Sequence, residues 1–150
     1  MRETFPKARF DIDEAGKCYA FGLYTACVFH LMRIVDLCLK RLGAHYGIIA
    51  KNPNWNEYLR PLREQYDKLK NTNPEEAQTL SDILERFSSY RAVRNPLTHS
   101  DELLPDDSSH RIESKYTPEE ARRHFDNANA FMTSLADFLS NNRKREDDIA

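Results

Sequence analysis

Glycine is scarce: the chain has 4, all within its first 47 residues. A β-rich fold needs glycines in its tight turns, so the shortage favours helices. Long apolar runs are missing as well. None reaches the roughly 18 residues that a membrane span requires, and no signal peptide opens the sequence, so a cytoplasmic protein away from the membrane is expected. Neither sign of charge dominates, with a net charge of -2 and a pI near 6.2. Global electrostatics therefore gives no sign of nucleic-acid binding, and any such site has to be a local basic patch.

Cysteine is limited to Cys18, Cys27 and Cys38. Their spacing does not match zinc ligands, which cluster two to four residues apart, so reduced core or interface thiols of a cytosolic protein are expected. No two histidines are spaced as metal ligands on one helix face. His45, His110 and His124 read as loop or exposed residues without a role. No glycine-rich phosphate loop and no Ser/His/Asp pattern is present, so neither a metal nor a cofactor is expected.

What the chain does contain is 40% hydrophobic, 31% charged and 11% aromatic residues, enough for one domain over residues 1–150 with a real core. Residues 1–9 read as an arm. One long helix is expected from Asp11 to Leu42. One of its stripes runs through Ile12, Ala15, Tyr19, Leu23, Ala26, His30, Ile34 and Leu37, and a second through Cys18, Phe21, Val28, Phe29, Met32, Val35 and Leu39. Two stripes mean cover on two sides, as for the central helix of a bundle or one that also makes a dimer contact.

A loop over 43–53 precedes a second helix that Asn54 can cap, with Pro61 expected to force a kink or short turn. A third helix runs from Pro74 to Arg94 with Ala77, Leu80, Leu84, Phe87 and Arg91 inward, and Pro96 should end it at Asn95. Residues 100–116 read as a polar loop. Thr117-Pro118-Glu119-Glu120 forms a capping box that starts the last helix, expected to end near Asn141 and leave 142–150 frayed. The expected architecture is all-α, an up-down bundle of four to five helices.

The segment able to carry chemistry is Arg94-Asn95-Pro96-Leu97-Thr98-His99. It sets a guanidinium, a carboxamide and an imidazole within six residues, across a proline. These groups suit metal-free RNA cleavage, in which the ribose 2′-OH attacks the adjacent phosphate. Histidine moves the proton near neutral pH, and arginine grips the phosphate and stabilises the pentacoordinate state. Asn95 can orient the histidine or a phosphate oxygen, and Arg91 and Arg33 add positive charge for the substrate. Tyr116 lies before the last helix, close in sequence to the loop after His99. His30 falls on an apolar stripe near Asp36. The bland reading of His30 is a buried, hydrogen-bonded histidine; the functional one has His30 and Asp36 supporting the site, with Asp36 orienting Arg94 or His99.

The hexapeptide resembles the Arg-Asn-x-x-x-His form of the Arg-x(4–6)-His motif of HEPN domains. The resemblance extends over about 130 residues: Asp11 to Cys18 and Tyr24 to Arg33 are similar to the first helix of a bacterial HEPN-like family. Lys115 to Ala121 and Ala130-Phe131-Met132 are similar to its last helix. Thr98 departs from the bulkier hydrophobic residue that members often carry before the histidine. The resemblance implies a HEPN-type bundle and a homodimer whose two Arg–His motifs face one cleft. It also implies either a metal-independent endoribonuclease of toxin–antitoxin or phage-defence systems, or a non-catalytic module binding protein, nucleotide or RNA. An antitoxin or a nucleotidyltransferase is the partner such a protein would have.

Overall fold

The computed structural model describes residues 5–51, 54–98 and 115–149. Those residues form an all-α bundle. A 3₁₀ turn, Pro6–Ala8, leads into α1 (Arg9–Ala20), α2 (Tyr24–His45), α3 (Asn56–Thr72), α4 (Pro74–Thr98) and α5 (Pro118–Ile149).

The long first helix expected from the stripes is two helices. Gly22, at φ 74°, adopts the left-handed conformation that stops α1. The Gly22 N–H donates to Tyr19 O at 3.1 Å and the Leu23 N–H to Cys18 O at 2.8 Å, the two hydrogen bonds of a Schellman ending. The chain reverses there and α2 lies against α1. The same ending recurs after α2. Gly47 has φ 68°, its N–H donates to Ala44 O at 3.1 Å, and the Ile48 N–H donates to Gly43 O at 2.8 Å. Gly43 is thus a helix residue and not the start of a loop. It lies under the Tyr58 ring, where a Cβ would meet Tyr58 Cδ1 at 2.6 Å.

The helix starts follow their capping residues. Asn54 Oδ1 accepts from the Glu57 N–H at 3.1 Å ahead of α3. Asn73 Oδ1 accepts from the Glu76 N–H at 3.3 Å ahead of α4. At α5 the capping box closes both ways: Thr117 Oγ1 accepts from the Glu120 N–H at 3.2 Å, and the Thr117 N–H donates to Glu120 Oε2 at 2.9 Å.

Proline ends neither α3 nor α4. Pro61 lies inside α3, which is a single helix from Asn56. Pro96 lies inside α4, which continues to Thr98. A proline removes one backbone hydrogen bond, to the carbonyl four residues back, and packing of the helix face can outweigh that loss of about 3 kcal/mol. In α3 that face buries Leu59 and Leu62, and in α4 Leu80, Ile83, Leu84 and Phe87. Arg91, expected inward, is exposed, and Tyr90 takes the buried position.

α2 is the central helix, packed by α1, α3, α4 and α5. Its buried residues run from Cys27 to Leu42 and meet Phe87 of α4 and Phe131 and Leu135 of α5. Phe87 and Phe131 meet edge to face at 5.0 Å between centroids, and Trp55 meets Phe87 likewise at 5.8 Å. Each fully buried leucine or phenylalanine side chain contributes about 1.5–3 kcal/mol. The cysteines are free thiols; burial pushes the Cys27 thiol up to about 11 and the Cys38 thiol to about 12. The described residues near both ends are more structured than the sequence suggests. Phe5 and Ala8 of the expected arm are buried in the core, and α5 runs on past Asn141 to Ile149.

Candidate functional site

Three segments converge at Trp55. α2 brings Asp36, the start of α3 brings Asn54, Trp55, Asn56 and Glu57, and α4 brings Arg91, Arg94 and Asn95. Trp55 is anchored by its own burial and by its edge contact with Phe87, so the site is tied directly to the core. The Trp55 Nε1–H donates to Asp36 Oδ1. The same oxygen lies 3.4 Å from Arg94 Nε, and the Arg94 guanidinium carbon stands 5.5 Å from the centroid of the Trp55 ring. A carboxylate on one side and an indole face on the other therefore fix the guanidinium, whose side chain is 28% exposed.

Arg94 forms part of the wall of an open cleft of about 340 Å³ lined also by Asn54, Trp55, Asn56, Glu57, Arg91 and Asn95. Arg91, one helical turn from Arg94, donates through Nη1 to Asn56 Oδ1 at 3.2 Å. Two guanidinium groups and three carboxamides thus line a cleft that contains one acid, Glu57. Such a lining can grip an anion with oxygens in several directions, as a phosphodiester has.

The residues singled out in the sequence fall into three groups. Arg94, Asn95 and Arg91 line the cleft, with Asp36 behind Arg94. Arg33 and His30 are held elsewhere, on α2 against α1. His30 Nδ1 is 2.8 Å and Arg33 Nε 2.7 Å from the same oxygen of Asp11, which is 3% exposed. Tyr116 is half-buried beside α5, its ring edge-on to His124 at 5.4 Å, and burial raises its phenol. It is not among the residues that line the cleft. His99, and residues 100 to 114 of the segment expected to be a loop, lie outside the described residues.

His45 and His124, taken as loop or exposed residues, are half-buried. His45 packs edge-on against Phe138 at 6.0 Å, and burial lowers the His124 imidazole. Among the described residues, no three His, Cys, Asp or Glu side chains gather as a metal-binding group, and no helix is long and apolar enough to cross a membrane.

Trp55, Asn54 and Asn56 had no part in the expected site. Trp55 is at once a core residue and a cleft wall, and helical spacing reports only the first of these. Asn54 was readable as a helix cap, which it is, but capping says nothing of the cleft it borders. No family model, no curated protein and no solved structure matches the chain.

Proposed function

We propose that this chain is a HEPN-type endoribonuclease, a toxin or defence effector that cuts RNA without a metal ion. The observation that carries the reading is the Arg94 guanidinium, fixed between Asp36 and the Trp55 ring on the wall of a cleft shared with Arg91 and Asn95. In this mechanism Arg94 holds the scissile phosphate and stabilises the charge that builds up on its oxygens. His99 moves the proton as the 2′-oxygen attacks phosphorus and the bond to the 5′-oxygen breaks. The departing 5′-oxygen gains a proton, leaving a 2′,3′-cyclic phosphate and a 5′-hydroxyl. Asn95 orients the histidine or a phosphate oxygen, and Arg91 widens the positive wall. The function includes a homodimer in which two such motifs share one cleft, and control by an antitoxin or nucleotidyltransferase.

The test is cleavage of a mixed RNA in excess EDTA by wild type, Arg94→Ala and His99→Ala. Cyclic-phosphate ends from wild type alone support the enzyme. A second reading, a non-catalytic HEPN module that binds protein, nucleotide or an RNA end in the same cleft, draws on Glu57 in the lining and Asp36 against Arg94. Both carboxylates reduce the net positive charge offered to a phosphate. Folded wild type that binds RNA but leaves it intact in this assay favours that module.

A further inference from the structure

Apart from the residues that line the cleft, α1 and α2 carry a second arrangement of cations and aromatic rings. Asp11 is a buried carboxylate that receives hydrogen bonds from His30 Nδ1 at 2.8 Å and Arg33 Nε at 2.7 Å. It fixes both groups at the surface, where the Arg33 side chain is 53% exposed. Two phenylalanines lean edge-on against the His30 ring, Phe10 at 6.3 Å and Phe29 at 5.9 Å between centroids. Neither is part of the core: Phe10 is 64% and Phe29 41% exposed. Rings left in water gain none of the stabilisation that burial would give them, and their contacts with the His30 ring set them beside the Arg33 guanidinium, which shares Asp11 with His30.

We propose that this face docks the single-stranded RNA that leads into the Arg94 cleft, with Phe10 and Phe29 stacking bases and Arg33 gripping a phosphate. The inference rests on the reading of the cleft as an RNA site. Aromatic faces interleaved with a cation are what a flexible single strand needs, because every base has a π-face and every linkage a charge. Position supports the assignment. Arg33 precedes Asp36 by one turn of α2, about 5 Å along the axis, and Asp36 is the residue that pairs with Arg94. Arg33 and Asp36 are thus neighbours on α2 while Asp36 pairs with Arg94, so a strand crossing α2 can reach both arginines.

The experiment is fluorescence anisotropy with a labelled 2′-O-methyl oligouridylate, which cannot be cut by 2′-OH attack, titrated at several salt concentrations. Sedimentation and a cleavage assay on ordinary RNA accompany it. Phe10→Leu/Phe29→Leu keeps apolar bulk and the Asp11 cluster but removes the rings. It should weaken binding about tenfold or more without changing the salt dependence. Arg33→Gln should weaken binding and lower the slope of log affinity against log salt by about 0.7, the loss of one phosphate contact on a single strand.

Wild-type affinity in the double leucine variant overturns the docking face. So does a wild-type oligomer that Phe10→Ser/Phe29→Ser disperses while the leucine variant binds RNA normally, because the face is then a contact between copies of the chain. If wild type cleaves RNA but binds the probe regardless of Phe10 and Phe29, only the docking face falls. If wild type neither binds nor cleaves, the reading of the cleft falls with it.

Discussion

Arg94 on α4 and Asp36 on α2 are joined by an ion pair, Nε to Oδ1 at 3.4 Å, and Trp55 donates to the same carboxylate oxygen. One oxygen thus connects the central helix to the arginine of the cleft and to an indole that belongs to the core. The ion pair itself is partly exposed and adds little to stability, under about 1 kcal/mol. The buried Trp55 N–H is different, because losing its acceptor leaves a desolvated donor.

Two substitutions separate these effects. Asp36→Asn keeps an oxygen for Trp55 and removes the charge that holds Arg94, so the urea unfolding midpoint should barely move. Under the proposed function, kcat/KM for RNA should drop roughly tenfold or more, as when a supporting partner of a catalytic group is lost. Asp36→Ala should also cost about 1–3 kcal/mol of stability through the orphaned indole N–H. Equal stability losses for the two variants would show that Trp55 does not depend on this oxygen.

Two helical glycines should respond in opposite directions to alanine. A Cβ on Gly16 meets nothing within 4 Å, so Gly16→Ala should stabilise the protein by about 0.5–1 kcal/mol through helix propensity alone. A Cβ on Gly43 meets Tyr58 Cδ1 at 2.6 Å and Cε1 at 3.0 Å, in the middle of a ring and not at a flexible tip. Gly43→Ala should therefore lose about 1–2 kcal/mol after the propensity gain is counted. Thermal melts of the two variants check both signs together.

Asp11 should be among the most sensitive charged positions. It ties α1 to α2 through His30 and Arg33, and at 3% exposure it has little water to fall back on. Asp11→Ala removes two charge-assisted hydrogen bonds, but its partners are partly solvated, so a loss of about 2 kcal/mol is expected. Asp11→Asn, which keeps an acceptor, should lose less. Chemical unfolding of the two variants measures the difference, and no loss in Asp11→Ala would show that α1 is held by apolar packing alone.

That cluster also shows where reading the sequence stops. In one continuous helix, Asp11 and His30 would lie about 28 Å apart, yet they are hydrogen-bonded across 19 positions because the chain reverses at Gly22. A lone glycine in an apolar pattern costs a helix only about 1 kcal/mol, so the stripes alone did not disclose the turn. The stripes did disclose two-sided cover, and α2 is the central helix. Capping gave local answers at Asn54 and Thr117 because it depends on residues within one turn. Pro96 misled for the opposite reason. Its local preference is real, but it does not stop a helix already under way, and α4 continues to Thr98. The chemistry-bearing types Arg94, Arg91 and Asn95 could be read from the sequence. The Trp55 wall of their cleft could not, since it depends on how α3 enters against α2.

The pH dependence of stability should carry a signature of His124. Burial, followed by the positive charge of Arg123, lowers the pKa of this half-buried imidazole below its ordinary 6.5, with Glu120 opposing. A histidine whose folded pKa is depressed binds its proton more readily in the unfolded chain. Its contribution is therefore complete above about pH 6.5 and is lost as pH falls from there through the folded pKa. Glu120, whose carboxyl is lowered by its hydrogen bonds in the Thr117 capping box, acts in a separate and more acidic window, beginning below its ordinary 4.5. His124→Gln should thus reduce the loss of stability between about pH 7 and pH 5 and leave the steeper acid limb in place. Urea midpoints at the two pH values, compared between wild type and variant, isolate this residue from His30 and His45, which both proteins share. Parallel midpoints across that range would mean that His124 keeps an ordinary proton affinity, and so is better hydrated than its packing beside Tyr116 implies.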